Sequence, residues 1–213
     1  MSYIINITGF ILKGSVITLK LYAVTTIFSI PLGVVCALGK ISKYKWLKIL
    51  LELYTWIFRG TPLLLQLFFT YYGLPVFGIK LTQFQAAALT FIFNYGAYFT
   101  EIFRAGIESI DKGQYEAAKA LGMNYHQTMA RIILPQAVKR VLPPTSNEAI
   151  TLIKDTALVA AIGMGDILRA AKEVLTRDFK VTSFIIAGII YLLLTSIIVL
   201  FFRKLEQKYS IYE

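Results

Sequence analysis

The stretch EAAKALGMNYHQTMARIILP, Glu116–Pro135, decides how the rest of the chain is read. Asp111 with Gln114, and Asn124 with Gln127, have the spacing of capping boxes, so two short helices are predicted to start there. Gly122 suits the left-handed residue that closes the first helix, and Pro135 is expected to stop the second. One face of the first carries Tyr115, Ala118, Leu121 and Gly122. The second presents Tyr125, Met129, Ile132 and Ile133. Such apolar ridges need cover, either from the membrane surface and the chain's own bundle or from a partner.

The flanking sequence is far more apolar. Of 213 residues, 57% are hydrophobic and 16% charged, too few charges for a soluble globule of this size. Runs of roughly 20 apolar residues predict about five membrane-crossing helices: Val16–Leu38, Leu47–Tyr72, Phe84–Phe103, Ala149–Leu168 and Val181–Phe202. The expected fold is an all-α integral membrane bundle, residues 1–213 forming one transmembrane domain with a water-facing segment over about 106–140. The first span lacks a basic leader and cleavage site, so it is expected to be retained. The net charge of +10 gathers beside the spans, which argues for topology and against nucleic acid. Lys40, Lys43, Lys45 and Lys48, the basic residues of 104–140, and Arg203, Lys204 and Lys208 predict an outside N-terminus and a cytoplasmic C-terminus. Arg169, Lys172, Arg177 and Lys180 oppose that orientation. Cys36 is the one cysteine, so no intrachain disulfide is expected.

Glu116-Ala117-Ala118, then Gly122, Ile132 and Leu134-Pro135, resembles the EAA loop of membrane subunits of ATP-binding-cassette importers. The stretches FRGTPLLLQLFFTYYGLP, GAYFTEIFRAGIESIDKGQYEAAKALGM and NEAITLIKDTALVAAIG extend that likeness to the permeases for polar amino acids, over nearly the whole chain. The resemblance implies a type I importer fold. It implies that the loop forms coupling helices docking on an ATPase subunit, with those roles on Glu116, Ala117, Ala118, Gly122, Tyr125 and Pro135. It further implies a second permease copy or homologue, a pair of ATPase subunits, an extracytoplasmic solute-binding protein, and a prokaryotic cytoplasmic membrane. The chain has no G-x-x-x-x-G-K-[ST] loop. ATP and Mg are therefore expected on the partner ATPase, with no cofactor, metal or catalytic residue in this chain.

Polar residues inside the spans mark a candidate pathway, because a charge at the bilayer centre costs about 2.5–3.5 kcal/mol on insertion scales. Asn94, Tyr98 and Glu101 recur at i, i+4 and i+7 on one helix face. Glu101 either meets a substrate cation or pairs with Arg104 or Arg59. Arg59-Gly60-Thr61-Pro62 interrupts the second span. The break is either a packing kink or a place where freed backbone amides and Thr61 receive a carboxylate. On the fourth span Thr151 and Asp155 share a face and Lys154 is rotated away, so one of the two charges is expected to face the pathway, with Leu158 as an apolar wall. The substrate-binding set is thus Thr61, Asn94, Tyr98, Glu101, Asp155 and Leu158. The reading is a non-catalytic subunit of an ATP-driven importer of polar amino acids, with arginine, lysine or histidine favoured. A glutamine or glutamate importer, an ion-coupled carrier, a channel and a purely structural subunit are the alternatives.

Overall fold

The computed structural model describes residues Ser2–Ser210, and helices carry nearly all of them. Helix α1 (Ser2–Ile41) has 40 residues, about 60 Å at 1.5 Å per residue, twice a bilayer's hydrocarbon thickness. It therefore begins well before the expected Val16. Its early turns are covered: Ile7 and Ile11 pack with Ile167, Ala171 and Val174 of α8 (Ile167–Asp178) and with Ile186 and Ile190 of α9 (Thr182–Ser210). Among the described residues, two helices are long and apolar enough to span a membrane by composition, Tyr3–Ile41 and Thr182–Tyr209. The other helices are either shorter than a span or carry more polar residues than that test allows.

The second span is a broken rod. Helix α2 (Lys45–Gly60) ends at Thr61, whose backbone is extended, and α3 (Leu63–Phe68) resumes after Pro62 before running into a π turn at Phe69–Gly73 and a 3-10 turn at Leu74–Phe77. Pro62 has no N–H to give to Phe58, four residues back. Instead the Gln66 and Asn94 side-chain amides donate to the Phe58 carbonyl at 2.9 and 2.8 Å. Sequence spacing locates the break, and the side chains that repair it come from two different helices.

Helix α4 (Gln83–Glu108) starts on a capping box of Thr82 and Gln85 and lies against α1 along its length. The approach is close: a Cβ on Gly33 would sit 2.5 Å from Phe99 Cβ, and one on Gly96 2.7 Å from Leu32. Lipid tails are as apolar as leucine, so such small-residue contacts, rather than apolar burial itself, hold spans together. Around this pair Leu21, Leu67, Phe91, Tyr95, Phe99, Leu152 and Val159 form the main core.

The expected fourth span, Ala149–Leu168, is not one helix. Helix α7 (Leu134–Asp155) starts fifteen residues earlier and contains Pro143 and Pro144. A 3-10 segment, Thr156–Ile162, follows and ends at Gly163 with φ of 84°. Asp166 then caps α8 by accepting from the Leu168 and Arg169 amides, each at 3.0 Å. The apolar composition runs through this boundary, but the left-handed glycine and the capping carboxylate end the helix there. Sequence hides the early start because Lys139, Arg140 and the prolines make the first half of α7 read as polar loop.

Between α4 and α7 lie α5 (Lys112–Ala120) and α6 (Tyr125–Thr128). Gly122 has φ of 75°, and the Gly122 and Met123 amides donate back to Lys119 and Ala118 carbonyls, each at 3.0 Å, a Schellman ending. The Asn124–Gln127 capping box forms as expected. The Asp111 side chain accepts from Gly113 rather than Gln114. Pro135 does not stop the second helix. A π turn at Met129–Ile133 precedes it, and the chain continues into α7. The wider turn accommodates the missing proline donor, so the bend becomes a bulge rather than an end.

Candidate functional site

Four residues of the expected substrate set meet at one cavity of about 410 Å³. The α2 break supplies Arg59 and Thr61, α4 supplies Asn94 and Tyr98, and α7 supplies Glu148, Thr151 and Asp155. The α7 residues fall at i, i+3 and i+7, so helix periodicity alone brings them to one stripe. The Asp155 carboxylate accepts from the Tyr95 hydroxyl at 2.8 Å, while Lys154 is exposed and lies outside the lining. Asp155 is thus the charge of that pair that faces the cavity.

Several groups at the cavity wall are already engaged. Asn94 is buried, and its amide donates to Phe58 and to the Gln66 Oε1 at 3.0 Å. Thr61 donates to the Ile57 carbonyl at 2.8 Å and receives Gln66 Nε2 at 2.8 Å. Both residues shape the broken helix as well as line the space. Arg59 stands with its guanidinium 5.4 Å from the Tyr98 ring centroid, a cation–π distance. Hydropathy does not single out Glu148, because it stands just before the apolar run that begins at Ala149. With α7 started at Leu134, its seven-residue spacing to Asp155 is the signal that finds it.

Glu101 and Leu158 lie elsewhere. Glu101 Oε1 takes the Lys40 ammonium at 2.5 Å, its Oε2 takes Arg104 at 2.7 Å, and Arg59 approaches at 3.9 Å. Lys40 is itself only 7% exposed and also donates to Thr55 at 3.0 Å. Arg104 also pairs with Glu108. The carboxylate therefore joins α1, α2 and α4. The expected pairing with Arg104 and Arg59 is present, and Lys40 is an addition: it reads in sequence as one of a row of topology lysines, but α1 runs on to Ile41 and carries it inward. Leu158 lines a different cavity of about 700 Å³ between the 3-10 segment and α8, together with Leu64, Leu168, Arg169 and Lys172.

The residues of the coupling motif divide by face. Met129 and Ile133 are buried and pack with Ile107, Ile110 and Ala137, and Ala118 is buried too. Burial also pushes the Tyr115 hydroxyl above its ordinary pKa. Glu116, Ala117, Gly122 and Pro135 are exposed, and Leu121 and Tyr125 stand out at 80% and 62% exposure. So the expected ridges split, one half clamped to the bundle and one half free. The segment is fastened at its base, where the Arg140 guanidinium donates to the Ser109 carbonyl and hydroxyl. That clamp joins the end of α4 to the start of α7, the two helices that carry most of the cavity.

A rigid exposed hairpin fixed to the helices of an internal polar cavity defines the class, a transport subunit of the membrane. The chain belongs to the family described as binding-protein-dependent transport system inner membrane component, whose profile matches residues 29–211. It is 44% identical over 201 residues to the arginine transport system permease protein ArtQ of Bacillus subtilis (strain 168), covering 93% of this chain and 92% of that one. It is 42% identical over 201 residues to a putative glutamine transport system permease protein GlnP of Rickettsia bellii (strain RML369-C), with 93% and 92% covered. Its fold superposes on a chain from the crystal structure of an amino acid ABC transporter with histidines, with TM-score 0.90, 35% identity and 97% of each chain covered. The particular protein is accordingly an amino acid ABC transporter permease with the all-helical type I importer fold.

Proposed function

We propose that this permease takes a cationic amino acid, arginine, lysine or histidine, through the cavity at the α2 break. One observation carries this reading: two carboxylates, Glu148 and Asp155, share that cavity with a single guanidinium, Arg59. A zwitterion with an extra positive charge balances the set. Its carboxylate meets Arg59, and its ammonium and side-chain cation meet the two acids. Glutamine or glutamate leaves an anion unpaired away from bulk water, which is unfavourable. Thr61, Asn94 and Tyr98 set the shape, and Tyr98 offers a ring to a cation. The anionic contact expected of Glu101 passes to Glu148 and Asp155, because Glu101 is already met by two close cations. Leu158 belongs to the entrance beyond.

The chain works in a prokaryotic cytoplasmic membrane with its N-terminus outside and its C-terminus in the cytosol. It pairs with a second permease, sits on two ATPase subunits that bind ATP and Mg, and receives substrate from a solute-binding protein. The exposed half of the α5–α6 hairpin, Glu116, Ala117, Leu121, Gly122 and Tyr125, is the docking surface. Ala118 supports it from beneath, and Pro135 marks the bulge through which it joins α7. Closure of the ATPases displaces the hairpin, and the Arg140–Ser109 clamp carries the displacement to α4 and α7. The result is a shift between two states of the cavity, driven by differential nucleotide binding.

Uptake by the reconstituted complex tests the substrate. Arginine, lysine and histidine should be accumulated in preference to glutamine and glutamate when ATP is supplied. Accumulation driven by an ion gradient with the ATPase absent would instead establish a secondary carrier. Glu116→Lys should insert normally yet lose substrate-stimulated ATP hydrolysis, and preserved stimulation removes Glu116 from the coupling surface.

A further inference from the structure

Arg59 lines three separate cavities. Besides the 410 Å³ cavity it faces a space of about 480 Å³ bounded by Glu101, Arg104, Ser109 and Arg140, and one of about 460 Å³ bounded by Lys40, Glu52 and Trp56. The first holds the proposed substrate contacts. The second runs toward Ser109 and Arg140, at the base of the α5–α6 hairpin. The Arg59 side chain therefore stands where the 410 Å³ cavity adjoins the two spaces on its hairpin side.

Its hold on that position is loose by comparison with its neighbours. It reaches Glu101 at 3.9 Å, whereas Lys40 and Arg104 reach the same carboxylate at 2.5 and 2.7 Å. Glu101 keeps its charge compensation without Arg59. The second contact, over the Tyr98 ring at 5.4 Å, leaves the guanidinium edge free to hydrogen-bond. The side chain is 43% exposed, and the backbone beneath it is the last turn of α2 before the Thr61–Pro62 break. Glu148 and Asp155 line the same cavity as Arg59 and the ring. A long planar cation is thus placed between an acidic group that does not need it and a cavity that attracts it.

We propose that Arg59 is the inner gate of the pathway: its guanidinium closes the passage while it lies against Tyr98 and Glu101, and opens it when drawn toward the cavity carboxylates or a substrate carboxylate. This rests on reading the 410 Å³ cavity as the transport site. Gate and substrate selection then share one residue, because the group that recognises a carboxylate is the group that must move to let it leave. A substrate without a carboxylate would bind and fail to open the passage.

The test uses the full complex in inside-out vesicles, with Cys36→Ser removing the single native thiol and Thr151→Cys placing a reporter in the cavity wall. A charged methanethiosulfonate reagent is added from the hairpin side without ATP. With Arg59 present the reporter should react slowly. Arg59→Ala should raise the modification rate at least tenfold, Arg59→Gln nearly as much, and Arg59→Lys far less, since an ammonium keeps the charge but lacks the fork. Tyr98→Leu, which leaves Arg59 in place but removes its ring, should give an intermediate rate. Equal rates for Arg59 and its alanine and glutamine variants would overturn the gate. ATP-driven release of amino acids loaded with the solute-binding protein inside vesicles of the Cys36→Ser complex, with Thr151 intact, reports the transport reading separately: accelerated labelling with no release of any amino acid would support the gate and reject the substrate.

Discussion

Two carboxylates that the sequence offers as candidates for one pathway, Glu101 and Asp155, have opposite surroundings. Glu101 is 16% exposed and held by Lys40, Arg104 and, more distantly, Arg59. Asp155 has one hydrogen bond, from Tyr95, and opens on a cavity that holds a second acid. The difference teaches how to read an ionisable group in a membrane protein. A carboxylate whose oxygens are both occupied by cations joins helices, and one with acceptor capacity left over is the one available to a ligand.

The largest effect should come from breaking the occupied site. Glu101→Gln leaves the Lys40 ammonium buried without its counter-charge, a change that costs about 3–5 kcal/mol in comparable buried pairs. Thermal denaturation of the purified complex should show a large fall in Tm and a low yield. The companion double variant Lys40→Met with Glu101→Leu should recover most of that loss, because apolar side chains of similar volume often replace a buried ion pair without penalty. A double variant as unstable as the single one would mean that Glu101 does more than neutralise Lys40.

Next in size is the helix break. Asn94→Leu withdraws one of the two amides that serve the Phe58 carbonyl and leaves Gln66 Oε1 without that donor. It should destabilise by about 1–3 kcal/mol, the cost of an unsatisfied buried polar group. Asp155→Asn, by contrast, keeps an oxygen for the Tyr95 hydroxyl and should change stability by less than about 1 kcal/mol. Its effect should fall on transport, with KM for arginine rising at least tenfold.

A second occupied carboxylate calibrates the smallest effect. Asp178, at the corner between α8 and α9, receives Arg177 at 2.7 Å and the Tyr3 hydroxyl at 2.7 Å. Those donors, Arg177 first, depress its pKa to about 2. A depressed acid stabilises the fold fully above the unfolded carboxyl's pKa, about 4, and that contribution disappears as pH falls toward about 2. The site is water-facing, so screening keeps the gain small. Denaturation of wild type and Asp178→Asn should differ slightly at pH 7 and converge toward pH 2.

The sequence made the hairpin legible in detail because its signals are local. Gly122 at the left-handed position and the Asn124–Gln127 box are settled within a few residues of themselves. The break at Thr61–Pro62 was legible for the same reason. The repair by Gln66 and Asn94 was not, since it depends on which helix lies beside the break. Lys40 and Glu148 escaped because hydropathy assigns each to the wrong side of a boundary. A charged residue at the end of an apolar run looks solvated until a neighbouring helix supplies its partner. The fourth span was misplaced by the same blindness: α7 is polar where it lines the interior, and the apolar run beyond it is cut by Gly163 and Asp166.

The most direct measurement places Glu101→Gln and Asp155→Asn side by side in one reconstituted complex, recording Tm and the KM for arginine uptake for each. The two carboxylates should separate cleanly, Glu101→Gln lowering Tm while any surviving protein keeps a near-normal KM, and Asp155→Asn keeping Tm while KM rises at least tenfold. A raised KM with unchanged Tm for Glu101→Gln, together with normal uptake by Asp155→Asn, would contradict the assignment and return the substrate contact to Glu101.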